Sequence, residues 1–205
     1  MSAIQTQPDP WWGQPCLAVH LQGRLPASAT RVFAEAQRSL SGLSAPLCVI
    51  PPTALHVSIY SVVPVSWPAA EKEPFWRQVQ PSLLEVVRDV AGDLRLVELV
   101  FHSLRILPLA VVAIAEDQSG VIQSVRARLA QACRHSSLSS PSYDQIHCTL
   151  ARFAARSSIE HADAVACTAR WRNVATVFRE LAVVREIRYP SLEVQDLLTI
   201  ALQPA

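Results

Sequence analysis

Three of the six histidines are followed two positions later by a hydroxyl residue: His56-Val57-Ser58, His135-Ser136-Ser137 and His147-Cys148-Thr149. On a β-strand residues i and i+2 point to the same side, so such a unit sets an imidazole beside a hydroxyl. Two units facing each other across a groove supply two acid/base groups and two donors around one small anion. Phosphate ester cleavage calls for that set: one imidazole takes a proton from the nucleophile, the other protonates the leaving oxygen, and donors hold the non-bridging oxygens. The tripeptide alone is a weak signal, because 27 Ser and Thr among 205 residues give six histidines about one such match by chance. Context separates the three. LHVSIY alternates, with His56, Ser58 and Tyr60 on one side and Leu55, Val57 and Ile59 on the other. QIHCTLARF does the same, with His147 and Thr149 against Ile146, Cys148 and Leu150. His135 stands in a polar run, HSSLSSPS. By the same parity Cys148 points away from the site. Tyr60 could stack on a nucleobase or pack internally. Trp67, Tyr143 and Phe153 read as core, and His20, His102 and His161 as structural.

Other chemistries find no footing. There is no G-x-S-x-G elbow and no H-E-x-x-H, and the five glycines (13, 23, 42, 92, 120) form neither a phosphate-binding loop nor a dinucleotide fingerprint. The five cysteines (16, 48, 133, 148, 167) are odd in number and contain no C-x-x-C, which argues against a disulfide framework or zinc knuckle and for a reducing, cytoplasmic setting. A net charge of +1, from 18 basic and 17 acidic residues, is poor material for a broad nucleic-acid face. The expected partner is small, with no metal and no cofactor.

Strands must carry these side chains. The first fifteen residues read as a flexible N-terminal extension without a secretory pattern, and 16–205 as one domain. Apolar runs predict strands over 16–22, 47–50, 55–63, 94–101, 104–115 (interrupted near Pro108), 145–153, 179–189 and 196–202. Helical periodicity predicts helices over 31–40, 121–133 and 158–169, and another over 82–90 opened by a Ser82/Glu85 capping box. The uncharged stretch 39–70 holds five prolines and a histidine, so it cannot cross a membrane as a helix. Strand, helix, strands and helix recur roughly twice, which predicts an α+β domain of two similar lobes.

LHVSIY and IHCTLARF, whose histidines lie ninety-one positions apart, resemble the duplicated His-x-Thr/Ser-hydrophobic signatures of the 2H phosphoesterase superfamily. The likeness is to its 2′-5′ RNA ligase-like, 2′,3′-cyclic phosphodiesterase branch. CLAVHL resembles that family's opening strand, and RELAVVREIR with LLTIAL its final pair, so the resemblance spans about 16–202. It implies a bilobal, pseudo-two-fold α+β fold: two antiparallel-sheet lobes, helices outside and a central cleft. It implies His147 as base and His56 as acid, with Ser58 and Thr149 donating to phosphate; serine in the first motif keeps the hydroxyl. Arg152 matches an arginine that reaches the phosphate in several relatives, although strict alternation puts it on the wrong face unless the strand bulges. The implied protein is a monomeric, metal-independent phosphodiesterase acting on a 2′,3′-cyclic phosphate or 2′-5′ linkage of a small nucleotide or RNA end. The alternatives are a hydrolase of cyclic oligonucleotide signals and a non-catalytic nucleotide-binding module using the same cleft.

Overall fold

The computed structural model describes residues 3–94, 96–133 and 145–203. His135, Tyr143 and the Ser-rich run 136–142 lie outside the described residues.

The chain opens with β1 (Ile4–Thr6) and β2 (Pro15–Arg24), followed by α1 (Ala27–Ser39) and a short β3 (Leu47–Val49). A single 3-10 turn, Pro52–Ala54, leads into β4 (His56–Val63), and α2 (Ala69–Asp93) follows. The hairpin of β5 (Val97–Ile106) and β6 (Ala110–Glu116) precedes α3 (Val121–Ala132). Then come β7 (Ile146–Phe153), β8 (Ser157–Ile159), α4 (His161–Thr168), β9 (Val174–Phe178), β10 (Glu180–Arg188) and β11 (Glu193–Ala201).

Among the described residues the main sheet runs β11-β10-β2-β4-β7-β6-β5-β9, with β3 beside β7, while β1 and β8 form a separate pair. Every pairing is antiparallel. The order divides into two four-stranded lobes that meet where β4 touches β7, through the single pair Val57–Cys148. The two lobes are therefore halves of one antiparallel sheet, and the β2/β4 lobe joins β2 and β4 from the first part of the chain to β10 and β11 from the last. The helices cross over: α1 packs against β7 and β9, whereas α2 and α3 pack against β2 and β4. One continuous core lies beneath, with Phe33 edge-on to Phe101 at 4.9 Å and tilted against Trp171 at 5.8 Å. Close packing reaches the backbone at Gly23, where a Cβ would sit 2.6 Å from the buried Phe178 ring.

Four expectations need correction. Residues 3–15 are not a free extension: β1 pairs with β8, Asp9 N–H donates to the Phe153 carbonyl (3.1 Å), and Gly13 N–H to that of Tyr189 (2.8 Å). The helix read as starting at Ser82 starts at Ala69, after Pro68. Ser82 Oγ donates to Val79 O (3.1 Å) instead of capping. Pro74 and Pro81 each remove a helical N–H. Burial of Phe75, Trp76, Val79, Leu83, Val87 and Val90 along one face outweighs those losses. The gap read between residues 101 and 104 is not there, since β5 runs on to Ile106; the interruption expected near Pro108 is the β5/β6 turn, closed by Leu107 N–H to Ala110 O (2.8 Å). Strands β8 and β9, read as helix and loop, pair with β1 and β5. Among the described residues no helix is long and apolar enough to cross a membrane.

Candidate active site

Val57 and Cys148, opposite one another at the lobe junction, are wholly buried. Period-two alternation then turns their neighbours to the other face: His56 and Ser58 from β4, His147 and Thr149 from β7. All four line one cleft of about 240 Å3. Each imidazole is pinned by the carbonyl two residues before it. His56 Nδ1–H donates to Ala54 O at 2.8 Å, which leaves Nε2 3.1 Å from Ser58 Oγ. His147 bonds the Gln145 carbonyl in the same way. Pro51 and Pro52 set the 3-10 turn that presents Ala54 O.

Beyond Ser58 and Thr149 the alternation breaks in both strands at equivalent points. Leu21 pairs with Tyr60 and Gln22 with Ser58, so Ile59 is an extra residue in β4. Val111 pairs with Ala151 and Val112 with Thr149, so Leu150 is extra in β7. Ile59 and Leu150 are again 91 positions apart. A bulge leaves the inserted residue's carbonyl off the ladder, and a buried carbonyl needs a donor. Arg126 Nε of α3 supplies it for Ile59 (2.9 Å), and Gln37 Nε2 of α1 with Ile50 N–H supplies it for Leu150 (2.9 and 3.0 Å).

The bulges reassign the side chains that follow. Arg152, on the far face by strict alternation, is rotated into the cleft, as its expected role requires. Ser61, its counterpart in β4, also lines the cleft. Tyr60 is turned away: it is buried in the core, hydrogen-bonded with Cys133, and does not line the cleft, which corrects the stacking expectation. Trp67 packs edge-on to Phe75 at 5.1 Å, and Phe153 is buried in the core. Cys148 is buried and its thiol is pushed far up by that burial, so it is held protonated.

Five further groups were not singled out in the sequence. His20, read there as structural, lines the cleft and stacks on His56 with ring centroids 5.2 Å apart and planes 21° apart. Its Nε2–H donates to Gln22 Oε1 (3.1 Å). Asp9 holds Arg152 through Oδ2 (3.2 Å to Nη1) and accepts Trp11 N–H at Oδ1 (2.9 Å). Arg152 also lies over the Tyr189 ring, 5.5 Å from its centre. Glu186 and Ser61 complete the set. The signals were faint: a polar His20/Gln22 pair inside an apolar strand, and Glu186 in a strand 130 residues beyond His56.

Burial dominates the electrostatics. It lowers His56 to about 4, with the neighbouring His20 acting in the same direction and the Ala54 bond and Glu186 opposing. It lowers His20 to about 4 as well. His147 is lowered by burial and then by the Arg152 charge. At neutral pH the free protein therefore holds both facing imidazoles neutral. Among the described residues no three His, Cys, Asp or Glu side chains converge as metal ligands would.

No protein-family model matches the chain, and no curated protein matches it in sequence. Solved structures do match in fold. The TT0787 protein of Thermus thermophilus is 18% identical over 91% of this chain and 98% of its own, with a TM-score of 0.61. Escherichia coli LigT in complex with 3′-AMP is 12% identical over 92% and 98%, with a TM-score of 0.51. LigT in complex with phosphate is 15% identical over 92% and 99%, with a TM-score of 0.50. These are 2H phosphoesterase structures, and the chain has their α+β fold.

Proposed function

We propose that the chain is a phosphodiesterase that hydrolyses a 2′,3′-cyclic phosphate or a 2′-5′ phosphodiester of a small nucleotide or RNA end, with His56 and His147 as its acid/base pair. The observation that carries this reading is the convergence of two His/hydroxyl units on one cleft, related by the pseudo-twofold at Val57–Cys148. The 3′-AMP and phosphate bound by LigT, a structure of the same fold, support a nucleotide phosphate as the ligand.

The phosphoryl group sits between the two units. Ser58, Thr149 and Arg152 donate to its non-bridging oxygens, where negative charge gathers in the transition state. In the free protein the Ser58 hydroxyl donates to the neutral Nε2 of His56. Turned onto phosphate, it leaves that nitrogen open to a water molecule. The neutral imidazole takes a proton from this water as its oxygen bonds to phosphorus. The P–O bond to the ribose oxygen breaks, and the protonated partner gives that oxygen its proton. The surroundings favour His56 as the base, because burial and the stacked His20 keep it the more firmly neutral. The single proton then rests on His147, the acid, which reverses the roles that the resemblance implies.

The test is a substrate panel in excess EDTA: 2′,3′-cyclic mononucleotides, 2′-5′ oligoadenylates and cyclic dinucleotides. Hydrolysis of the first or second group without added metal is expected. Cleavage of none, or cleavage only after a divalent ion is restored, contradicts the proposal. Cleavage of cyclic dinucleotides alone keeps the chemistry and moves the substrate.

A further inference from the structure

The cleft that faces phosphate also carries a carboxylate. Glu186, in β10, is only 4% exposed yet lines the cleft with His20, His56 and Arg152. Its Oε1 accepts the backbone N–H of Ser191 and the Ser191 hydroxyl, the latter at 3.0 Å. Among the described residues no Lys, Arg or His nitrogen comes within 4 Å of it as an ion pair.

The titratable groups around it are His56 of β4, Arg152 of β7, Lys72 of α2, Cys16 and His20 of β2, and Tyr189 just past β10. Lys72 turns its Nζ to Val65 O at 2.8 Å. Arg152, the one guanidinium among the described lining residues, is already paired with Asp9. Sites that hold doubly charged phosphate ordinarily gather unpaired cations. Here the cationic partner is matched by one carboxylate, and a second faces the same space.

We propose that Glu186 is a specificity-determining residue that makes the cleft prefer a singly charged phosphodiester over a doubly charged phosphomonoester. A diester has one ionisable oxygen and remains a monoanion. Its hydrolysis gives a monoester whose second ionisation lies near pH 6, so above neutrality the product is a dianion. Each charge beyond the first meets Glu186 in a partly desolvated cleft, where like-charge repulsion is stronger than in water. Burial holds the Glu186 carboxyl above its ordinary range, and the Ser191 donors, with the His56 and Arg152 charges, oppose that rise. On the phosphodiesterase reading, on which the biological sense of this preference rests, Glu186 admits substrate and expels product.

The experiment is equilibrium binding, which needs no turnover. A 2′-deoxynucleoside 3′-phosphate and its methyl ester, an inert diester, are titrated into wild type and Glu186→Gln between pH 5 and 8. Histidine charging attracts both ligands, the dianion the more, so the deciding ratio of affinities is the one at pH 8, where burial keeps His56 and His147 neutral. Wild type is expected to bind the diester about tenfold more tightly at pH 8, the effect of one extra charge at about 10 Å with an effective dielectric of about 20. The ratio should move toward the monoester as pH falls through about 6. In Glu186→Gln the pH 8 ratio should collapse to near one, chiefly because the monoester binds more tightly. If that variant fails to fold, the wild-type ratio and its pH course decide. A dianion bound more tightly by wild type at pH 8, or a ratio unchanged in Glu186→Gln, overturns the proposal while leaving the hydrolase reading intact. Binding of neither ligand overturns both.

Discussion

His56 and His147 hold equivalent positions in unequal surroundings. His56 is stacked on a buried neutral imidazole, whereas His147 faces the Arg152 charge. Both sit below the ordinary 6.5, and His56 near 4. Turnover needs one neutral and one protonated imidazole, so kcat/KM, which reports the free enzyme, should be bell-shaped with its maximum below pH 6.5. On the alkaline side the rate falls as the pair loses its last proton; on the acid side it falls as the second imidazole charges. Both limbs belong to the coupled pair. A bound phosphate anion favours imidazolium, so the alkaline limb of kcat should lie at higher pH than that of kcat/KM. A profile flat from pH 5 to 9 contradicts this. The roles divide by leaving group: a nucleoside p-nitrophenyl phosphate needs no acid, so it should restore His147→Ala by about tenfold or more relative to the natural diester, and should not restore His56→Ala. The opposite pattern restores the roles that the resemblance implies. The motif residues were legible because alternation in LHVSIY and IHCTLARF fixes their face locally. His20 and Glu186 were not, because strand pairing across the sheet, rather than spacing along the chain, brings them to His56.

At the scale of elements the two bulges decide which side chains enter the cleft. Ile59 and Leu150 shift the parity of β4 and β7, which turns Ser61 and Arg152 inward and Tyr60 outward. Nothing in the run S-I-Y-S announces an inserted residue, so the Tyr60 expectation failed where the strand stopped alternating. Gln37 holds the second bulge by donating to both Ile50 O (2.7 Å) and Leu150 O (2.9 Å). Gln37→Leu keeps the volume, strands Ile50 O and leaves Leu150 O with the Ile50 N–H alone, so it should cost about 1–3 kcal/mol. Thermal unfolding should reveal a fall of several degrees, since about 1 kcal/mol corresponds to about 2–4 °C in a domain of this size. Arg152 depends on the same bulge, so KM should rise as well. An unchanged Tm and KM would mean the bulge holds without its cap. Most strands were legible from their apolar runs. The start of α2 was not, because a local capping signature at Ser82 competes with a buried face that only the folded core reveals.

The main sheet has two lobes, and each delivers one member of the facing pair, His56 from β4 and His147 from β7. The two-lobe grammar was visible in the sequence, but the crossing of α1 to the β7 lobe and of α3 to β4 was not, since helix docking is set by packing rather than by order. Nor was the docking of residues 3–15, whose Asp9 reaches Arg152 through the β1–β8 pairing. A near-neutral chain with one ion-paired guanidinium among the described lining residues should hold few phosphates. The slope of log(1/KM) against log salt should then be shallower than about −2, at about −0.7 per neutralised phosphate on a single strand. A slope of about −4 on an RNA of a dozen nucleotides would mean an extended basic face. The central claim is that the two lobes form one catalytic unit, and a double-mutant cycle on kcat/KM tests it most directly. His56→Ala and His147→Ala should each lose about 10²-fold or more, and the double variant much less than the product of the two losses. His135→Ala, the same tripeptide in another setting, should match wild type. Fully multiplicative losses, or a His135 variant as damaged as His147→Ala, would contradict a single paired site.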